Sequence, residues 1–185
     1  MSDLPLSDDD NWLIDDDPLD AIVEQTSAAP WRILVVDDEP DIHVVTRRAL
    51  EKLVFKERPI EILSAYTGAE GYKVLASEPD IALVLLDVVM ETPDAGLKLA
   101  QDIRNTLNNQ VVRIVLRTGQ PGNAPDEQGI VDFDINDYKS KTELTKNRLF
   151  VTVVSSLRAY EGLVAIEHHY QELRQREAED LELRS

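Results

Sequence analysis

Between residues 31 and 140, short apolar runs alternate with stretches whose apolar residues recur at helical spacing. Strands separated by helical stretches are typical of βα units, whose crossover helices leave the strands parallel. The run Ile81–Leu86 is continuously apolar, as expected of a central strand covered on both faces. The pattern therefore predicts an α/β protein with a five-stranded parallel sheet. The expected strands are Arg32–Val36, Ile60–Ala65, Ile81–Leu86, Val111–Leu116 and Asn136–Ser140.

Three helices are expected between these strands. The first begins at about Pro40, and Thr67 is the predicted N-cap of the second. Residues 119–134 are rich in Gly, Pro and Asp, so any helix there is expected to be short. The predicted buried faces are Ile42, Val45, Ala49 and Leu53 for the first segment, Ala69, Tyr72 and Leu75 for the second, and Leu97, Ala100 and Ile103 for the third.

A single long helix is predicted from about Thr145 to Leu183, because this segment has no Pro and one Gly. Its first half can cover the sheet through Leu149, Val153, Val154, Leu157 and Tyr160. Its second half places Leu163, Ile166, Tyr170 and Leu173 at a 3-4-3 spacing, which is that of a short coiled-coil seam. We expect dimerisation or a signalling linker there, and the alternative is a frayed, solvated helix.

Charge and composition limit the partners. The net charge is −17, and residues 1–30 hold nine acidic side chains and no Lys or Arg. The rest of the chain has 27 acidic and 19 basic side chains, a net charge of −8, so direct binding to nucleic acid or to an anionic membrane is not expected. There is no Cys, and the acidic N-terminus is unlike a signal peptide, which favours a cytoplasmic location.

The predicted organisation has three parts. Residues 1–30 form an acidic leader that is expected to be disordered, with a short docking element at Trp12–Ile14 as the alternative. Residues 31–160 form the α/β domain, and residues 161–185 extend its last helix. We expect either a single-domain protein with a helical tail or the first part of a longer chain, and favour the second.

Residues suited to metal and phosphate follow four of the predicted strands. Asp37 and Asp38 follow the first strand, Asp87 the third, Thr118 the fourth and Lys141 the fifth. The carboxyl ends of parallel strands meet at one crevice, so these side chains should converge. Three carboxylates repel one another unless a divalent cation such as Mg²⁺ relieves them. Asp87 is the candidate nucleophile, since an aspartate can accept a phosphoryl group as an acyl phosphate, while Lys141 and Thr118 would contact the phosphoryl oxygens.

The segments VVDDEP (35–40), LLDVVM (85–90) with Gly96 after it, RTG (117–119) and DYKSK (137–141) closely resemble the receiver domain of two-component response regulators. The resemblance implies a doubly wound, flavodoxin-like sheet of strand order 2-1-3-4-5 with an extended C-terminal helix. It implies phosphorylation of Asp87, with Mg²⁺ held by Asp37, Asp38, Asp87 and the backbone carbonyl of Val89. Thr118 and Lys141 would bind the phosphoryl group, and Tyr138 would act as a rotameric switch.

The sequence departs from that family around the site. Glu91 stands where the family usually has Pro, and is a candidate modulator of dephosphorylation or kinase docking. The family's Lys-Pro is Lys141-Thr142, which places the geometry of Lys141 in question, since a non-Pro cis bond costs several kcal/mol. The stretch RTGQPGNAPDEQ replaces an ordinary start of the fourth helix. The segments RTGQPG and DINDYKSKTELT together resemble a subgroup of receivers found in cyclic-di-GMP signalling proteins.

These features predict a phosphoacceptor signalling domain and not an enzyme with its own substrate. A sensor histidine kinase or phosphotransfer protein would phosphorylate Asp87 in the presence of Mg²⁺. The face of the fourth and fifth helices and the C-terminal helix would then change to control dimerisation or an output partner. The alternatives are a phosphorylation-independent pseudo-receiver and a Mg²⁺-dependent phosphohydrolase. The histidines do not supply the latter with an acid–base group near the nucleophile, since His43 lies in the first helix and His168 and His169 in the last.

Overall fold

A computed structural model of the chain describes residues 28–119, 127–141 and 145–183, and the first of these ranges begins inside the predicted leader. The strands are β1 (Trp31–Val36), β2 (Val54–Phe55), β3 (Arg58–Ala65), β4 (Ile81–Asp87), β5 (Arg113–Thr118) and β6 (Asp137–Ser140). The helices are α1 (Pro40–Leu50), α2 (Gly68–Ser77), α3 (Ala95–Asn105), α4 (Glu127–Asp132) and α5 (Lys146–Leu183).

The strands form one sheet in the order β2-β3-β1-β4-β5-β6. The five strands from β3 to β6 in this order pair in parallel, which confirms the predicted doubly wound α/β fold and its order 2-1-3-4-5. The added strand β2 pairs antiparallel with β3 at the edge and was not predicted. Lys56 and Glu57 join these two strands with φ of 50° and 61°, the backbone of a two-residue turn with both central residues left-handed.

Helices cover both faces of the sheet. On one face, α1 and α5 pack on the sheet through Leu50, Leu149, Val153 and Leu157. On the other, α2 and α3 contribute a second buried cluster that includes Leu75, Leu99, Ala100 and Ile103. Every residue of β4 is buried, as its apolar run predicts. The two layers leave the carboxyl ends of the parallel strands open at one edge.

The buried face of α1 differs from the prediction. His43, Thr46 and Leu50 are buried, whereas Val45 is 63% exposed. The ring of His43 packs on Tyr66 and contacts Ser64 Oγ at 3.0 Å and the carbonyl oxygen of Asp37 at 2.7 Å. The prediction holds for Leu53, which is buried just after the helix, and for Ala49, which packs against the core. Counting apolar residues alone misses His43 and Thr46, whose polar partners lie on the sheet.

Smaller differences concern α2 and the strand boundaries. Gly71 and Leu75 are the buried residues of α2, and Ala69 is exposed. The Thr67 side chain accepts a hydrogen bond from the Glu70 N–H, which confirms it as the N-cap. Val111 lies before β5 and not within it.

Helix α5 has two unlike halves. Leu149, Val153 and Leu157 are buried against the sheet, and Val154 and Tyr160 pack beside them. Within the described residues, α5 is the one helix that is long and apolar enough to cross a membrane by length and composition, but the buried residues of its apolar half pack against the sheet. In the second half Ile166, Tyr170 and Leu173 are exposed.

Candidate functional site

The residues predicted from strand ends meet at the open edge of the sheet. A cavity of about 240 Å³ lies there, which is smaller than the pockets of about 300–1,000 Å³ that hold most small-molecule ligands. Asp38, Asp87, Val89, Thr118 and Lys141 all line it, together with Glu39 and Gly119. The convergence follows from the parallel register, in which β1, β4 and β5 end side by side.

Four carboxylates lie close together in and behind the wall of this cavity. Oxygen atoms of Asp37, Asp38, Glu39 and Asp87 lie within 4.8 Å of one another. Asp37 and Asp87 are buried, whereas Asp38 and Glu39 are exposed. Asp37 Oδ2 is buried and has no hydrogen-bond partner among the described residues. Carboxylate oxygens that are close together and incompletely paired fit a small divalent cation, and Mg²⁺ prefers such oxygen ligands.

Lys141 compensates part of this negative charge. Its Nζ lies 2.8 Å from Asp87 Oδ2, 2.6 Å from Glu39 Oε1 and 3.3 Å from Asp37 Oδ2. Burial lowers the pKa of Lys141, but its hydrogen bonds to Asp87 and Glu39 and the charge of Asp37 outweigh burial and raise the pKa overall. Lys141 is therefore a permanent cation that contacts the candidate nucleophile directly. The following Lys141–Thr142 bond lies outside the described residues.

Asp87 is the last residue of β4, and its surroundings disfavour the ionised form of its carboxyl group. Burial is the largest influence and raises the pKa of Asp87; the hydrogen bond from Lys141 lowers it, and the nearby charge of Asp37 raises it again. The Val89 N–H lies 3.4 Å from Asp87 Oδ1. A carboxylate that is buried beside other acids is incompletely stabilised, so Asp87 gains from any cation that enters the cavity.

Thr118 and Tyr138 lie on the two strands beyond Asp87. Thr118 is buried at the end of β5, and its carbonyl oxygen accepts a hydrogen bond of 2.7 Å from the Lys141 N–H. Tyr138 is half-buried on β6, paired with Leu116 and packed on the core. Its hydroxyl is buried and has no hydrogen-bond partner within the described ranges. Thr118 thus lines the cavity, and Tyr138 packs against the core beneath the sheet edge.

Glu91 lies apart from the four-carboxylate cluster. Its Oε1 accepts a hydrogen bond of 2.9 Å from the Gly68 N–H at the start of α2, where a negative charge is favourable. Glu91 also lines a larger groove of about 560 Å³ between α2 and α3, which contains none of the four clustered acids. The acid that replaces the family's Pro therefore fixes the loop after β4 to α2.

Three residues near the site were not singled out from the sequence. Glu39 belongs to the same acidic run as Asp37 and Asp38, so its position after β1 was a usable signal. His43 contacts the backbone of Asp37, and the guanidinium of Arg117 lies 3.6 Å from its carboxylate. Nothing in the sequence shows that a helix residue and a strand residue would both meet Asp37.

An acidic pocket with a lysine, at the carboxyl edge of a doubly wound sheet, is the site of a phosphoacceptor signalling domain. The model of the response regulator receiver domain matches residues 33–153, and the chain belongs to this family. A 3'3'-cGAMP-specific phosphodiesterase 2 of Vibrio cholerae is 50% identical over 141 residues. That match covers 76% of this chain and 27% of the relative, so the chain spans about a quarter of the relative's length.

Solved structures share the fold. A response regulator receiver domain protein from Clostridium thermocellum superposes with a TM-score of 0.58 at 20% identity, over 72% of this chain and 98% of that one. The receiver domain of an HD domain-containing protein from Pseudomonas fluorescens Pf-5 gives a TM-score of 0.59 at 20% identity, with the same coverage of both chains.

Proposed function

We propose that this receiver accepts a phosphoryl group on Asp87, in the presence of Mg²⁺, from a sensor histidine kinase or a phosphotransfer protein. The observation that carries the proposal is the contact between Lys141 Nζ and Asp87 Oδ2, 2.8 Å apart in a cavity that Thr118 and two further acids also line. A nucleophile, a cation and a hydroxyl around one small space are the groups that phosphoryl transfer requires.

The chemistry is a displacement at phosphorus. An oxygen of Asp87 forms a bond to phosphorus while the bond between phosphorus and a nitrogen of the phosphoryl donor breaks. The donor nitrogen then takes up a proton from solvent. Lys141 and the Thr118 hydroxyl would contact two of the phosphoryl oxygens. Asp37, Asp38, Asp87 and the Val89 carbonyl would hold Mg²⁺, which supplies charge neutralisation of the transferring group.

The new phosphoryl group would change the surface formed by α4, β6 and the start of α5. Lys141 directly follows β6, and its Nζ contacts three carboxylates. A shift of Lys141 from these carboxylates to the phosphoryl oxygens would therefore move the end of β6. Tyr138, three residues before Lys141, would turn inward as Thr118 moves toward the phosphoryl group. A local change of charge would thereby bias a two-state element.

The exposed half of α5 would transmit this change to a second copy of the chain. Ile166, Tyr170 and Leu173 are 67%, 59% and 44% exposed and repeat at the spacing of a coiled-coil seam. An apolar stripe on a helix that extends beyond the sheet is suited to pairing with an identical helix. We infer a homodimer formed through α5.

The output we propose is control of cyclic-dinucleotide turnover, by a domain in the same polypeptide or in a partner. The support is the identity of 50% to part of a protein named as a 3'3'-cGAMP-specific phosphodiesterase. The receiver itself would have no substrate beyond its phosphoryl donor. A cytoplasmic location accords with this role.

The test compares wild type with Asp87→Asn. Both proteins are incubated with acetyl phosphate and Mg²⁺, and intact-mass spectrometry measures addition of one phosphoryl group. Light scattering then measures the molar mass with and without beryllofluoride. We expect phosphorylation and a change of assembly in wild type alone, and loss of the dimer in Ile166→Glu without loss of phosphorylation.

Other outcomes identify the alternatives. Equal partner binding or assembly by wild type and Asp87→Asn, with no phosphorylation, would identify a pseudo-receiver. Sustained turnover of small phosphate esters by the purified chain would identify a phosphohydrolase.

A further inference from the structure

Arg117 is a buried cation directly behind the acidic cluster. It is the penultimate residue of β5 and is 3% exposed. Its Nη1 donates a hydrogen bond of 3.1 Å to Thr46 Oγ1 on α1, and its Nη2 lies 3.6 Å from Asp37 Oδ2. The guanidinium therefore lies between α1 and the buried member of the acidic pair.

The guanidinium is poorly satisfied by hydrogen bonds. Arg117 Nε and Nη2 are buried without a hydrogen-bond partner in the described part of the chain. Burial is the main influence on the pKa of Arg117 and lowers it, against the opposing charges of Asp37 and Asp87. An arginine retained in this condition is held by electrostatic attraction more than by hydrogen bonds.

Arg104 shows what a structural buried arginine looks like in the same molecule. It is also 3% exposed, and its three nitrogens donate to four carbonyl oxygens, those of Phe133, Asn109, Val112 and Asp134. Arg104 joins the end of α3 to two loops, and each of its guanidinium nitrogens has a hydrogen-bond partner in the described structure. Within the described residues Arg117 donates one hydrogen bond, to the Thr46 hydroxyl, so holding the fold together does not account for it.

We propose that Arg117 is a positioning residue that sets the affinity of the site for Mg²⁺ by holding Asp37 and compensating its charge when the ion is absent. The proposal rests on the proposed Mg²⁺-dependent function. Asp37 Oδ2 lies near both Arg117 and Lys141 but accepts a hydrogen bond from neither. Its lone pairs therefore remain available to a metal ion. The permanent positive charge of the guanidinium near this oxygen repels an entering cation and weakens the binding of that cation.

The surroundings leave room for the guanidinium to move away when an ion takes Asp37. A cavity of about 50 Å³ lies beside Arg117, lined also by Ile42, Val45, Thr46, Lys141 and Leu149. The space is large enough for a water molecule. The hydrogen bond from Arg117 Nη1 to Thr46 can remain while Nη2 moves away from Asp37.

The test uses two substitutions in the full chain. Arg117→Gln removes the charge but keeps a hydrogen-bonding side chain, and Arg117→Lys keeps the charge. Isothermal titration calorimetry measures the Kd for Mg²⁺, and thermal unfolding is followed in EDTA and in saturating Mg²⁺. We expect Arg117→Gln to bind Mg²⁺ more tightly, on the order of tenfold, and Arg117→Lys to stay within about twofold of wild type.

The stability data give a second, independent readout. Arg117→Gln should unfold at a lower temperature than wild type in EDTA, and Mg²⁺ should recover most of the difference because the ion replaces the lost charge. Equal Kd values for Arg117→Gln and wild type would overturn the proposal. So would an Arg117→Gln protein that remains unfolded in saturating Mg²⁺, because the ion would then not replace the arginine.

The proposed function and this inference fail in different ways. Absence of Mg²⁺ binding by wild type contradicts the proposed function itself. Normal Mg²⁺ binding and phosphorylation in wild type, with a Kd that does not depend on the charge at position 117, contradicts only the role of Arg117.

Discussion

Gly96, in the first turn of α3, lies directly against the backbone carbonyl of Asp87. A Cβ added at Gly96 would lie 2.0 Å from the Asp87 carbonyl oxygen and 2.9 Å from the Val88 Cα, both parts of the backbone. The Gly96 N–H also donates a hydrogen bond of 3.0 Å to the Val88 carbonyl oxygen. The Asp87 end of β4 is thus fixed by a helix that approaches it as closely as glycine allows.

We expect Gly96→Ala to disrupt both the fold and the site. The new methyl group cannot fit without moving the loop after Asp87 or displacing α3, and overpacking of this kind costs about 1–3 kcal/mol or more. Thermal unfolding should show a lower Tm, and acetyl phosphate should label the variant more slowly than wild type.

Gly162→Ala is the matched control for that substitution. Gly162 lies within α5, and an added Cβ there meets nothing within 4 Å. Alanine is favoured over glycine in a helix by about 1 kcal/mol, so this variant should be at least as stable as wild type. Equal Tm values for Gly96→Ala and Gly162→Ala would contradict the close contact at Asp87.

Asp87 should make the metal-free protein less stable as pH rises. Its pKa in the folded state is raised above the ordinary 3.8, chiefly by burial, so the folded state holds its proton more tightly than the unfolded state. The favourable contribution of protonated Asp87 is therefore present below pH 3.8 and is lost as pH rises through the raised folded pKa.

Asp87→Asn removes this pH-dependent penalty. In EDTA at pH 7 we expect the variant to have the higher Tm, by a few degrees, and to lose this advantage in acid. Thermal unfolding of both proteins across a pH series measures the difference. A less stable Asp87→Asn at pH 7 would mean that attraction to Lys141 outweighs the cost of burying the charge.

Substitutions of Asp37 and Asp38 should differ in their effect on the stability of the metal-free protein. Asp38 is exposed, so Asp38→Asn should change the metal-free stability by no more than about 0.5 kcal/mol. Asp37 is 0% exposed and lies between Lys141 and Arg117, and removing one partner of a buried pair costs about 3–5 kcal/mol. Asp37→Asn should therefore be the less stable variant in EDTA.

Both substitutions should weaken Mg²⁺ binding, by about tenfold or more, since each removes one of the few negatively charged oxygen ligands proposed for the ion. Calorimetric titration measures the Kd values, and unfolding in EDTA measures the stability of each variant without the ion. Wild-type affinity in Asp38→Asn would exclude Asp38 as a metal ligand.

The sequence predicts the strands and the site for the same reason. Continuous apolar runs such as Ile81–Leu86 define buried parallel strands, and parallel strands bring the residues after them together. That rule placed Asp87, Thr118 and Lys141 at one cavity without any knowledge of contacts.

The features that were missed depend on contacts between elements. The β2–β3 hairpin has Lys56 and Glu57 at left-handed positions, where Gly or Asn would have been recognised. The buried face of α1 contains His43 and Thr46, whose partners on the sheet cannot be found by counting apolar residues. The pairing of Arg117 with Asp37 joins two strands that are far apart in the sequence.

The hydroxyl of Tyr138 should destabilise the protein in the state described by the structure. Tyr138 Oη is inaccessible to water and has no hydrogen-bond partner within the described residues, and such a group costs about 1–3 kcal/mol. Tyr138→Phe removes the hydroxyl and keeps the ring that packs on the core, so we expect it to be more stable than wild type by about 1 kcal/mol. Tyr66→Phe is the control, because Tyr66 is 43% exposed and its hydroxyl can be solvated. Urea denaturation of the three proteins measures the differences, and a Tyr138→Phe less stable than wild type would show that the hydroxyl makes a favourable contact in the folded protein.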